Sequence, residues 1–309
     1  MKAYAPDYYK DFMCRAGECR HSCCIGWEID IDEKTLKIYR EADGELEARL
    51  RSAIRQDEDN ACFNMLENGR CPFLREDGLC DMICLKGETW LADICREHPR
   101  FYNRFTDRVE VGLGLACEAA AELVLGRHEP FRLVCTGGET ETLTEWESEL
   151  VARRDGVIAT LSEGSKGLTE RINTVAEQYG IEPYARPLSE WCELFLGLDI
   201  MDDSFNSLIG DIRNLNFNEA SNFLPEIITP LERLLIYFAY RHLSPAEDGE
   251  DFSARLGLVF VSFRMTSAAA VARGVKDVRG LAEIARIYSA EIEYCEENTE
   301  AIIGEFVEF

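Results

Sequence analysis

Ten of the thirteen cysteines in this 309-residue chain fall within its first 117 positions, and four of them, Cys14, Cys19, Cys23 and Cys24, lie within eleven. Thiolates gathered in one place repel one another unless a cation neutralises them, so such crowding points to a metal or iron-sulfur site. A disulfide framework is the other use of dense cysteine, but it belongs to small chains in oxidising compartments. This chain is long, and its odd cysteine count leaves at least one thiol unpaired in any all-disulfide scheme. The start, MKAYAPDYYKDF, has no apolar run of the kind a secretory signal needs, so a cytoplasmic location is expected.

Hydrophobic residues make up 46% of the chain and charged residues 29%, enough apolar surface to offset chain entropy on folding. At about 150 residues per domain the length suggests two domains. Acidic residues outnumber basic ones 58 to 33, a net charge of -25 that repels nucleic-acid phosphates and anionic membrane surfaces. Neither nucleic acid nor membrane is therefore an expected partner; a protein presenting lysines is a better match. The longest apolar stretch, Leu256 to Ala272, carries Arg264 and falls short of the roughly 20 residues that span a bilayer.

Helix signals dominate the second half. Thr144-Glu145-Trp146-Glu147 fits a capping box. Thr229-Pro230-Leu231-Glu232 offers a cap, a first-turn proline and a glutamate ahead of Leu234, Leu235 and Phe238. Leu168 to Tyr179 reads as a helix stopped by Gly180. Leu281, Ile284, Tyr288, Ile292 and Cys295 form one helical stripe, with Asp277 as its cap. No regular strand-helix alternation appears, so the expected fold is mainly α. The expected division is a cysteine-rich metal or iron-sulfur region over 1–135, with loops marked by Gly69, Pro72, Gly78 and Gly87, and a helical domain over 140–309. Short strands are expected at Trp27 to Ile31 and Arg108 to Leu113.

Close spacings such as Cys19 to Cys23 and Cys80 to Cys84 let one turn of backbone deliver two sulfurs. The candidate ligands are Cys14, Cys19, Cys23, Cys24, Cys71, Cys80, Cys95 and Cys117, expected to meet round a shared centre. Adjacent Cys23 and Cys24 diverge on a helix or a strand, so one of them serves a second site or packs. Cys62 and Cys84 are lesser candidates, and Cys135, Cys192 and Cys295 are read as core residues. His21 and His98 lie near the cysteines and default to hydrogen bonding or exposure. Arg96 and Arg100 flank Cys95, where they could lower thiol pKa values. The spacing CxxxCxxC of radical S-adenosylmethionine chemistry, a complete GxGxxG and a P-loop are all absent.

The pattern Cys14-x4-Cys19-x3-Cys23-Cys24-Ile-Gly-Trp27, then Cys71-Pro-Phe-Leu74, Asp77-Gly-Leu-Cys80, Cys95-Arg-Glu-His-Pro-Arg-Phe101 and Ala116-Cys117-Glu118, resembles the flagellin lysine-N-methylase family. Its cysteine core is also similar to the CxxCxxCC zinc- or iron-chelating proteins. The resemblance covers residues 10 to about 125, and Tyr288-Ser-Ala-Glu-Ile-Glu293 with Glu297-Asn298 extends it weakly to the C-terminus. It implies an iron-sulfur cluster, 4Fe-4S, held by the cysteines, and methyl transfer from S-adenosylmethionine to lysine side chains of flagellin. The alternative is a non-catalytic zinc- or iron-binding module that docks a protein partner. Three positions depart from the family pattern: Glu118 replaces a usual proline, Ala92 a frequent cysteine, and Cys84 is an addition.

Overall fold

A Thr144 hydroxyl that accepts from the Glu147 backbone N–H, while the Glu147 carboxylate accepts from the Thr144 N–H, opens the helix Glu145–Leu161. The capping box thus forms where the sequence places it. The helix Leu168–Tyr179 ends on Gly180 in the left-handed conformation (φ 66°), and Asp277 caps Val278–Ile292 through the Gly280 N–H. The computed structural model describes residues 1–307 apart from 58–59, 141, 184–185 and 216–223. Among the described residues helices outnumber strands thirteen to six, so the fold is mainly α.

Packing divides the described residues into two units, residues 13–100 with 117–119, and the rest of the chain. The division does not fall at 135–140, and strand pairing gives the reason. Lys2–Pro6 pairs parallel with Arg108–Leu113 and antiparallel with Leu133–Gly137, and Arg100–Arg104 completes a sheet around them. The segments that flank the cysteine-rich stretch are thereby recruited into the helical unit's sheet. Arg108–Leu113 is the expected strand; Trp27 to Ile31 is not one, making only an isolated bridge from Asp30 to Cys62.

The cysteine-rich unit holds the helices Glu33–Arg40, Gly44–Ala53, Asp81–Lys86 and Asp93–Glu97 and the two-stranded ribbon Ile54–Gln56 with Ala61–Phe63. Their apolar faces meet in a core of Ile29, Ile31, Tyr39, Leu46, Leu50, Phe63, Phe73 and Met82. Tyr39 stacks on Phe63, and Phe63 meets Phe73.

In the helical unit, Gly249–Ala272 packs against Pro225–Leu243, Asp203–Arg213, Val278–Ile292 and Glu296–Gly304. By length and composition this helix could cross a membrane, but its surface is mostly buried in the unit's own core. Pro225–Leu243 begins at Pro225, earlier than Thr229, because Pro225-Glu226 supplies the same first-turn signal. Cys295 caps the separate final helix instead of continuing the stripe, and it is part-exposed. Cys135 is exposed on its strand. Of the three cysteines read as core, only Cys192 is buried.

Two buried carboxylates organise the polar interior of this unit. Glu110 accepts from Arg108 Nε at 2.7 Å and from Arg154 Nη1 at 2.5 Å, all three side chains being buried. Glu293 accepts from Tyr237 Oη at 2.8 Å, meets His242 Nε2 at 2.7 Å, and also accepts from Ser289. Arg241 lies 3.5 Å from Glu293 and donates to its main-chain carbonyl. Neighbouring Glu291 and Asn298 hold the turn at 199–202 by its backbone groups. The C-terminal segment that resembles the methylase pattern is therefore a set of buried polar fasteners.

Burial resists ionisation of Glu293, but Arg241 and His242 outweigh it and its carboxyl lies below the ordinary 4.5. Burial also holds His242 below 6.5. In both cases the unfolded chain binds the proton more readily, so the contribution to stability is complete above the unfolded pKa. The His242 share is expected to fade as pH falls from 6.5 through its folded value, and the Glu293 share as pH falls from 4.5 through its own. Urea midpoints measured from pH 8 to pH 3 test this. Glu293→Gln is expected to cost about 3 kcal/mol at neutral pH by leaving Arg241 uncompensated; an unchanged midpoint would show the network to be dispensable.

Candidate metal centre

Backbone pairing brings several of the cysteines to the unit's core. The chain pairs Ile25 with Arg70 and Leu74 with Cys80, and the Cys71 N–H donates to the Cys24 carbonyl at 2.8 Å. Cys71 opens the turn Cys71-Pro-Phe-Leu74, and Cys80 is the N-cap of the helix Asp81–Lys86. The backbone N–H groups of Phe73 and Leu74 act against burial to lower the Cys71 thiol, and those of Ile83 and Met82 do the same for Cys80. Such N–H donors favour the thiolate, the form in which cysteine binds metal. Cys71 belongs to the unit's hydrophobic core, and Cys24, Cys80 and Cys95 pack against it.

A second group forms where the chain returns at residue 117. Glu118 Oε2 accepts from the backbone N–H groups of Arg20 (3.0 Å) and His21 (3.3 Å), and Oε1 from Arg20 Nε (3.1 Å). Arg15 adds an ion pair at 3.8 Å. The loop carrying Cys14, Cys19 and Cys23 is thus fastened beside Cys117. Gly17 and Gly78 tighten the same loop from the other side: a Cβ on Gly17 would lie 2.5 Å from the Asp77 carbonyl oxygen, and one on Gly78 (φ 78°) 2.9 Å from Gly17 Cα. Backbone approaches backbone here as only glycine allows.

The electrostatics follow this division. Burial pushes the Cys19 thiol up to about 11, with Cys117, Glu118 and Cys14 adding to it. Burial pushes Cys71 up to about 11 and Cys95 up to about 12, the further causes being Cys24 and Cys80 for the first and Cys24, Cys71 and Cys80 for the second. The neighbouring thiols of Cys23 and Cys24 act on each other, which raises Cys23 and lowers Cys24. Cys23 otherwise senses Cys117 and Cys14, whereas Cys24 acts on Cys71, Cys80 and Cys95. The eight candidate cysteines occupy one unit, and four of them, Cys24, Cys71, Cys80 and Cys95, lie at its hydrophobic core. Among the described residues, no three ligand side chains already stand as a metal ion would need them.

The remaining candidates sit apart. Cys62 is buried beside Glu28 and Arg55, and Cys84 is exposed one helical turn after Cys80. Burial, and then Arg100, depress His98 to about 4, which makes it a neutral imidazole at pH 7. Arg96 donates to the Leu91 carbonyl and Arg100 to that of Arg96; the net effect at Cys95 is a raised thiol, not a lowered one. An open cleft of about 400 Å³ in the same unit is lined by Trp27, Glu28, Arg55, Phe63, Asn64 and Met65. In the sequence Glu118 stands out only as a departure from the family pattern; an acid directly after Cys117 and arginines at 15 and 20 are the available signal for the clamp.

Among curated proteins the chain matches the lysine-N-methylase of Salmonella choleraesuis (strain SC-B67) at 29% identity over 133 residues, 39% of this chain. The match to the lysine-N-methylase of Salmonella typhimurium is 29% over 130 residues. The chain is similar to the lysine-N-methylases. The matched part spans 31% of the length of each of these relatives. The flagellar biosynthetic protein FliU of Salmonella muenchen matches at 29% over 130 residues, 75% of that relative. No family model matches, and no solved structure is significantly similar.

Glu118→Ala is expected to free the 15–21 loop at a cost of about 1–2 kcal/mol, since Arg20 is half exposed. Amide hydrogen exchange at Arg20 and His21 should accelerate while that of Leu50 and Phe63 stays slow. Unchanged exchange at Arg20 would show that the carboxylate does not hold the loop.

Proposed function

We propose that this chain methylates lysine side chains of a protein, flagellin being the first substrate to test, with S-adenosylmethionine as methyl donor and an iron-sulfur cluster held by cysteines of the 13–119 stretch. Similarity to proteins named lysine-N-methylase is the observation that carries the reading; FliU, a flagellar biosynthetic protein, supports the choice of flagellin. The donor set fits an iron-sulfur centre in kind and number, since eight cysteines gather in one unit, four of them at its core. The cleft lined by Trp27, Phe63 and Met65 falls within the roughly 300–1,000 Å³ range of small-molecule sites.

The chemistry demands a neutral amine. With a reference pKa near 10.4, only about one lysine in 2,500 is neutral at pH 7, a deprotonation cost of roughly 4.6 kcal/mol. A bound cluster would supply an electron-poor metal able to hold the sulfonium cofactor or to order a desolvated pocket. The residues of this chain contribute the thiolates, the clamp on the 15–21 loop and an acidic surface that draws in lysine-bearing protein.

Anaerobically purified protein, incubated with S-adenosylmethionine and flagellin, is expected to add methyl groups to flagellin lysines by mass spectrometry. Cys80→Ala should reduce both the transfer and the iron-sulfur absorbance, whereas Cys192→Ala, in the helical unit, should keep both. Iron-loaded protein that adds no methyl group would favour the second reading, a metal-stapled module that binds a partner without turnover.

A further inference from the structure

Every candidate cysteine belongs to the unit of residues 13–100 and 117–119, yet two different devices position them. Cys24, Cys71, Cys80 and Cys95 rest on the hydrophobic core beside Phe73 and Met82, Cys71 opening a turn and Cys80 capping the helix Asp81–Lys86. Cys14, Cys19, Cys23 and Cys117 lie outside that core, on the loop that Glu118 fastens beside residue 117. Cys23 and Cys24 are consecutive, yet Cys24 packs against the core and Cys23 does not. The dipeptide can therefore deliver one sulfur to each group.

We infer that this unit binds thiophilic metal at two separate four-cysteine centres, one formed by Cys24, Cys71, Cys80 and Cys95 on the core and one by Cys14, Cys19, Cys23 and Cys117 on the clamped loop. The inference rests on the reading that these cysteines hold metal, and it replaces one shared centre by two. Four thiolates complete a tetrahedral zinc site or cap the irons of a four-iron cluster, so both metals share this ligand chemistry. Binding displaces the thiol protons to solvent and draws the four sulfurs of each set together. The core-mounted set is built to be structural. The loop set, with Cys14 and Cys23 exposed, is the one a small molecule can reach.

The test is metal stoichiometry on the full chain purified without oxygen, with iron, zinc and acid-labile sulfide measured together so that clusters and zinc are told apart. Two centres per chain are expected, either as two zinc ions, two clusters or one of each. Cys71→Ser and Cys19→Ser should each remove one centre and leave the other, pairing either with a second change in its own set should remove no more, and combining the two should remove both. One centre per chain, lost in full with either variant, would overturn the proposal in favour of a shared site; no bound metal would overturn it outright. Where a variant fails to fold, cobalt titration of the metal-free wild-type chain decides: thiolate-to-cobalt absorbance should grow to two equivalents, and saturation at one refutes two centres. Methyl transfer is assayed separately, so a two-centre protein that leaves flagellin unmodified would sink the methylase reading and not this one.

Discussion

One carboxylate joins the two ends of the cysteine-rich stretch. Glu118 takes three hydrogen bonds and an ion pair from residues 15–21, across 97 to 98 positions of sequence for Arg20 and His21. Closing a loop of that length costs about 4 kcal/mol of chain entropy. Hydrogen bonds to a charged group contribute roughly 1.5–3 kcal/mol each when buried and less where a partner is half exposed, as Arg20 is, so the clamp offsets part of that cost and the unit's hydrophobic core the rest. The carboxylate is buried, and against that burial its Arg20 partner keeps it ionised. With the close Gly17–Gly78 contact it fixes Cys117 beside the loop of Cys14, Cys19 and Cys23.

Local signals were legible wherever one or two residues dictate a backbone choice. The Thr144 capping box, the Gly180 stop, the Asp277 cap and the strand Arg108–Leu113 all lie where the sequence puts them. Boundaries that depend on a partner were not. Thr229-Pro230 looks like a helix start, but Pro225 carries the same signal one and a half turns earlier, and tertiary packing of Ile227 decides between them. The stripe through Cys295 breaks because Glu293 turns inward to a buried cluster that no local pattern announces. Likewise the break at 135–140 gives way to a division set by Lys2–Pro6, whose two sheet partners are more than a hundred residues away.

At the candidate centre, composition named the cysteines but could not sort them. Spacing groups Cys14 with Cys24 and Cys71 with Cys80. Under the two-centre proposal the boundary runs between Cys23 and Cys24, which are adjacent in sequence, because Cys24 packs against the core and Cys23 does not. The reason is local: with residues 24–26 bridged to 69–71, Cys24 joins the turn at Cys71, while its neighbour stays on the loop that Glu118 holds.

The charge of -25 sets a further condition on any lysine chemistry here. Acids far from the reacting amine attract the substrate, but an unpaired acid beside it stabilises the ammonium and adds to the deprotonation cost. Glu118 is the acid that lies against the loop cysteines, and Arg15 and Arg20 already neutralise it. It is therefore poorly placed to hold a lysine ammonium, and it could accept a proton only by surrendering the bonds that keep the loop in place. Under the methylase proposal Glu118 positions sulfur, and the base that takes the lysine proton is a different group.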